Sequence, residues 1–320
     1  MRVPSLVKVF LLVFGSLLGL LVIVAGGWTI AQHFRNPLAV LDRPGGCAAL
    51  VADSAYIVQT GAETREYHDI ILAGLPADTI RMTVSLPTAG PAETLPVLII
   101  LGGLEVGRES LKYIPYHGNN VLIAYQYPYS PAYWYQGTAF SEIPVIRRAV
   151  FAVPTQVNAI VRWSGRQPWS DGTPPNLLGY SFGALFLPAV YHQAGAQHLE
   201  LGAGVLAYGG ANIYAILRAN LSKVAEPVRT LVAWSAAAAL RPMEPALHLP
   251  ALDNPFLIMN GTTDHQIPVA SWQLLHRLAP AGSTILTLEA GHMHPRKPEL
   301  TERLVAISRQ WLLTRGAINP

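Results

Sequence analysis

An α/β fold, with a mostly parallel central sheet and helices on both of its faces, is what this sequence predicts. Three observations carry that prediction. Short, continuous apolar runs recur along the chain: LPVLIIL at 95–101, NVLIAY at 120–125, NLLGY at 176–180 and PFLIMN at 255–260. Runs of this length and type suit strands buried on both faces, as parallel strands are. Longer helix-like segments alternate with them, at 143–163, 183–195, 268–279 and 299–315, and that alternation is the pattern of a sheet covered on two sides. The composition agrees: 51% of the 320 residues are apolar and only 13% charged, enough to fill the core of one large domain.

Taken in order, IRMTVSLP (80–87) alternates with period two and reads as the first strand of the domain. The runs at 95–101, 120–125 and 176–180 follow, then GAGVLAY (202–208), PFLIMN (255–260) and STILTLE (283–289). In the last helix Leu300, Leu304, Ile307, Trp311 and Leu312 fall on one face. Two stretches break the alternation. YQYPYSPAYWYQGTAFSE (125–142) is dense in aromatic residues, and 211–250 is helix-like but interrupted by prolines. Residues 126–142 and 211–250 are therefore candidate cap segments, placed to cover the carboxyl ends of the strands, where open α/β sheets hold their ligands.

Residues 9–31, VFLLVFGSLLGLLVIVAGGWTIA, contain no charge. As a helix they would reach ~34 Å, enough for a bilayer's ~30 Å hydrocarbon core. Arg2 and Lys8 precede the run, which places the N-terminus in the cytoplasm and the domain on the periplasmic or extracellular side. The competing reading is a cleaved signal segment, since Ala25-Gly26-Gly27 has the small-residue pattern of a cleavage site. The expected organisation is thus 1–31 as membrane anchor or signal, 32–65 as a linker with scattered Pro and Gly, and 66–320 as the domain.

Composition also excludes. The formal charge of +3 is small and no long Lys/Arg run occurs, so nucleic acid is not an expected partner. Cys47 is the single cysteine, so no internal disulfide forms, and it belongs to no cluster with metal-ligand spacing. No metal or cofactor is expected. His292 and His294, two residues apart, lack a third ligand at good spacing.

The chemistry-bearing stretch is Gly179-Tyr180-Ser181-Phe182-Gly183. It follows an apolar strand and precedes a helix. A strand turning sharply into a helix holds the turn residue out of the sheet, and glycines on either side let the backbones approach. The N–H groups at the start of the helix point at an anion beside Ser181. A serine hydroxyl is a weak nucleophile and needs a base. Asp264 lies in NGTTDHQIP after the sixth apolar run, and His292 in GHMHP after the seventh.

On these three motifs, residues 80–317 resemble the α/β-hydrolase superfamily, in its serine esterase, lipase and peptidase branch. The resemblance implies a catalytic triad in chain order Ser181, Asp264, His292, with Gly261-Thr262-Thr263-Asp264-His265-Gln266-Ile267-Pro268 as the acid loop and Gly291-His292 as the base turn. His294 remains a rival for the base, and Asp253 and Glu289 for the acid. The oxyanion donors implied are the backbone N–H of Phe182 and one in LGGLEVGRES (101–110), at Gly103 or Leu104; the His-Gly pair that many relatives carry there is Leu101-Gly102 here, which leaves both open. Arg108 and Glu109 read as part of a solvated loop, with pairing or a contact to substrate as the alternatives. The implied activity is hydrolysis of a carboxylic ester, with a small, apolar substrate. Peptidase or thioesterase activity with the same triad, or a hydrolase-like domain that only binds, are the alternatives.

Overall fold

The computed structural model describes residues 5–41, 48–60, 63–75, 78–88, 94–128, 139–294 and 296–320. Its strands are β1 (Ala49–Thr60), β2 (Glu63–Leu75), β3 (Asp78–Pro87), β4 (Val97–Leu101), β5 (Val121–Gln126), β6 (Asn176–Tyr180), β7 (Gly204–Ala207), β8 (Phe256–Gly261) and β9 (Thr284–Leu288). They form one sheet in the order β1-β2-β3-β5-β4-β6-β7-β8-β9. From β5 to β9 every neighbouring pair is parallel, while β1, β2 and β3 join antiparallel at one edge. The seven expected strands all form, within two residues of their expected bounds.

The apolar runs are continuous because the strands have two buried faces. In β4, Val97, Ile99 and Leu101 belong to one core cluster, and Leu98 and Ile100 to the other. The first cluster is closed by α3 (Ala139–Ser164), α4 (Leu187–Ala196) and α8 (Val269–Arg277). The second is closed by α9 (Pro298–Thr314), through buried Leu304 and Leu312, and by the 3-10 turn Gly107–Tyr113. The remaining helices are α1 (Ser5–Phe34), α2 (Pro37–Leu41), α5 (Ile213–Asn220), α6 (Glu226–Leu240) and α7 (Pro245–His248).

The described residues between α1 and the expected domain boundary are built into the fold rather than forming a linker. β1 pairs along β2, and α2 buries Leu41, whose carbonyl accepts from Thr155 Oγ1 (3.1 Å) and Gln193 Nε2 (2.7 Å). The strand escaped the sequence because it lies at the sheet edge: Leu50, Val51, Tyr56 and Ile57 are all exposed, so no clean alternation of apolar and polar residues is needed.

The expected transmembrane segment also needs correcting. Residues 9–31 lie within the single helix α1, but among the described residues no helix is long and apolar enough to cross a membrane. The last turns of α1 meet the domain along one stripe, Ala25, Gly26, Thr29 and Gln32, with Gln32 buried and Arg241 donating to the carbonyl of His33 (2.8 Å).

Two buried histidines are held neutral. Burial, and then the charge of Arg65, push the His117 imidazole down to about 4 from its ordinary 6.5. Burial pushes His248 to about 4 as well. His248 Nε2 donates to the Pro242 carbonyl (2.8 Å), which leaves its Nδ1 to accept from His192 Nδ1 (3.0 Å). Below the ordinary value the unfolded chain takes up protons that the folded one refuses. Folding stability is therefore expected to rise as pH goes from about 4 to 6.5 and to level off above. Thermal melts across that interval check it, and His248→Gln should flatten part of the slope; a Tm independent of pH there contradicts it.

Candidate active site

Three connections at the carboxyl edge of the sheet bring together residues far apart in sequence. β6 ends at Tyr180 and turns at Ser181, which has φ +53°, in the left-handed region that non-glycine residues seldom adopt. A 3-10 turn, Ser181–Leu185, comes before α4 begins at Leu187, so the helix starts later than the sequence suggested. The flanking glycines have a steric reason. A Cβ on Gly183 would lie 1.9 Å from the Leu101 carbonyl oxygen, and one on Gly179 would lie 2.8 Å from Ala184 Cα. Both obstacles are backbone, which cannot step aside. Gly183→Ala is thus expected to cost ~3 kcal/mol and lower Tm by roughly 6–12 °C. Gly195→Ala, at a site with nothing within 4 Å, is the control in the same melting experiment.

Asp264 follows β8 and is buried. Its Oδ1 accepts from the N–H groups of Gln266 (2.7 Å) and Ile267 (3.1 Å). Its Oδ2 lies 2.7 Å from His292 Nδ1. The loop after β8 is fastened to the loop after β9: Thr262 N–H donates to Leu288 O (2.8 Å), and Thr263 N–H to Ala290 O (3.2 Å). That fastening sets the position of His292. Its Nε2 is 2.7 Å from Ser181 Oγ. A carboxylate only accepts, so Nδ1 carries the imidazole proton and Nε2 is left to accept from the serine hydroxyl. Ser181, His292 and Asp264 therefore form one continuous hydrogen-bonded line.

The other candidates take different places. His294 Nδ1 accepts from the Arg296 N–H (3.0 Å), and its residue lines the same cavity without joining Ser181. Gly103 stands beside the Ser181 turn, where a Cβ would lie 4.0 Å from Ser181 Cβ. Leu104 lines the cavity next to it. Phe182 packs its ring against Tyr127 and Phe186. Arg108 and Glu109 do not pair with each other: Arg108 meets Asp69 (3.3 Å), and Glu109 meets Lys112 (2.9 Å).

The cavity in front of Ser181 and His292 has a volume of about 260 Å³ and is walled mainly by Ile100, Leu104, Tyr113, Ile114, Met293 and Val305. Neither candidate cap segment lines it among the described residues. Of the aromatic stretch, Tyr125 and Tyr127 are core residues. Tyr125 donates to Gln156 Oε1 and Tyr127 to the Gly102 carbonyl, each at 2.6 Å, while 129–138 lie outside the described residues. The segment 211–250 forms α5, α6 and α7 and packs beside the site. Asn220 Nδ2 ties it to the loop after β8 by donating to the Gln266 carbonyl (2.9 Å).

Sequence reasoning missed Tyr208. It ends the fifth apolar run, has φ +59° and is fully buried. Its ring meets that of His292 edge to face, with centroids 5.5 Å apart. Burial, and then the Asp264 charge, push its phenol up to about 12. The signal was available: it stands at the carboxyl end of a central strand, directly before Gly209-Gly210.

No model of a known protein family matches this chain, and no curated protein does. Solved structures do. An acetyl xylan esterase from a Thermoanaerobacterium species superposes with a TM-score of 0.58 at 14% identity, over 85% of this chain and 92% of that one. An acetyl xylan esterase from Paenibacillus sp. R4 gives 0.58 at 13%, over 88% and 94%. A hyperthermophilic esterase from Pyrobaculum calidifontis gives 0.50 at 13%, over 90% and 93%. At such identities the likeness is one of fold, and the fold is that of the α/β hydrolases.

Proposed function

We propose that this chain, with its α/β-hydrolase fold, is a serine hydrolase that cleaves a small carboxylic ester through an acyl-enzyme. The observation that carries the reading is the line of hydrogen bonds from Ser181 through His292 to Asp264, held on a strained turn at the mouth of a cavity. Two of the structural neighbours are acetyl xylan esterases, which supports the choice of bond.

In this mechanism Ser181 Oγ attacks the acyl carbon while His292 Nε2 takes the hydroxyl proton. Asp264 keeps the imidazole in the receptive tautomer and stabilises the imidazolium. The carbonyl oxygen becomes an oxyanion, received by the backbone N–H of Phe182 and by one from Gly103 or Leu104. Collapse breaks the ester C–O bond, and the imidazolium gives its proton to the departing alcohol. Water then repeats the sequence on the acyl-serine, with His292 again accepting and returning the proton. The substrate's size follows from the cavity. At about 260 Å³ it lies near the lower end of the ~300–1,000 Å³ usual for small-molecule sites, and its walls are mostly apolar. That suits a short, uncharged acyl ester.

A series of p-nitrophenyl esters from acetate to palmitate, run beside peptide and thioester substrates, tests the reading. The expected result is kcat/KM highest for the short chains and falling with length. Turnover of peptides alone overturns the ester assignment.

A further inference from the structure

The most conspicuous surface feature lies away from Ser181. Of the side chains on α6 only Ala233 is buried. Val228, Leu231, Val232 and Trp234 are all exposed. Residues 230–240 carry no charge. An apolar helix with so little covered is not a helix built to face water. It packs on α5, and α1 runs beside it. The covered stripe of α1 is Ala25, Gly26, Thr29 and Gln32, which is the spacing of one helix face, and its small residues allow close approach. Between the two helices lies a cleft lined by Thr29 and His33 of α1 and by Trp234, Ala237 and Ala238 of α6. The exposed apolar surfaces of α1 and α6 are therefore continuous.

What covers this surface is set by its shape. On α1 the exposed residues include Phe10, Leu12, Phe14, Leu20, Ile23 and Val24. At ~100° per residue these positions sweep about 200° of the helix circumference. A lipid layer takes up an apolar face this broad along its whole length. Trp28 and Trp234, both exposed, stand near the polar end of the pair, where tryptophans settle at a lipid headgroup boundary.

The charges at that end agree. Arg241 donates to the His33 carbonyl and Arg147 to the Ala239 carbonyl (3.4 Å). Arg35 lies near enough to Arg147 to add, after burial, to the lowering of its guanidinium. Among the described residues none of these three arginines has a carboxylate partner. Anionic phosphates would meet them.

We propose that α1 and α6 together seat the protein on a phospholipid surface, with the apolar side chains of both helices among the acyl chains and Arg35, Arg147 and Arg241 at the headgroup edge. Seating needs no helix to cross. A broad apolar face lying in the interface is buried ~5–10 Å deep. It is also independent of the chemistry at Ser181.

The experiment uses the full chain with Cys47→Ser and one reporter cysteine at a time, Leu231→Cys or Val228→Cys on α6, Ile23→Cys on α1 and Glu302→Cys on α9, each carrying an environment-sensitive NBD fluorophore. All four positions are exposed, and a melt equal to that of the parent shows that the fold is kept. The proteins are reconstituted with phosphatidylcholine–phosphatidylglycerol vesicles. The labels at 231, 228 and 23 are expected to shift to the blue and to lose most of their emission with brominated acyl chains. The label at 302 should be quenched only by aqueous iodide. The proposal is overturned if the α6 labels behave like the one at 302, or if bis-maleimide joins two copies at 231 while brominated lipid leaves that position unquenched.

Discussion

Replacing Ser181 by alanine is expected to lower kcat by on the order of 10⁵ and to leave the fold intact. The loss is large because no other described group could take over. His292 Nε2 faces Ser181 Oγ at 2.7 Å, and without that oxygen the imidazole has no hydroxyl to activate. Stability measurements on a companion variant separate chemistry from architecture. Ser181 holds φ +53°, a conformation that costs a non-glycine residue about 1 kcal/mol or more. Alanine keeps that strain and glycine relieves it. Ser181→Gly should therefore be as inactive as Ser181→Ala and more stable by roughly 0.5–1 kcal/mol. Inactivity together with a gain in stability is the mark of a turn shaped for its side chain. A Ser181→Ala enzyme within tenfold of wild type would remove the nucleophile from the account.

Asp264→Asn is expected to cost on the order of 10⁴ in kcat, for a reason legible in its hydrogen bonds. Asp264 Oδ1 already accepts from the N–H groups of Gln266 and Ile267. An asparagine would keep its oxygen toward those two donors, so its NH₂ would face His292 Nδ1. The imidazole would have to accept there, and its proton would move to Nε2. The nitrogen facing Ser181 would then be a donor and could not receive the serine proton. KM should change little, because Asp264 is shielded from the cavity by the imidazole. Single-turnover acylation with a p-nitrophenyl ester reads the defect directly. Equal acylation rates in the variant and the wild type would contradict the tautomer argument.

Much of this arrangement was legible in the sequence, and the legible parts share a physical cause. Ser181 and Asp264 each follow a strand buried on both faces, and such strands show up as unbroken apolar runs; His292 follows the edge strand β9, where Ile285 and Leu286 are exposed. The Gly179 and Gly183 contacts are backbone against backbone, so they demand glycine and leave a pattern in the sequence. Other parts left none. β1 lies at the sheet edge with Leu50, Val51 and Ile57 exposed, so burial did not impose an alternation on it. Tyr125 and Tyr127 sit in an aromatic-rich stretch, but whether such rings line a site or fill a core depends on strand register, which composition does not encode. Tyr208 owes its place to a left-handed backbone and to a ring neighbour 84 positions further along the chain. The prolines of 211–250 suggested a cap, yet that segment packs against α1, α4 and α8 rather than over the cavity.

The account rests on Ser181 being a reactive nucleophile, and covalent labelling with a fluorophosphonate, mapped by peptide mass spectrometry, tests that most directly. The wild type is expected to gain a single adduct on the peptide carrying Ser181, Ser181→Ala to gain none, and Asp264→Asn to react far more slowly. A folded wild type that stays unlabelled in excess reagent, or an adduct on any other residue, would contradict it.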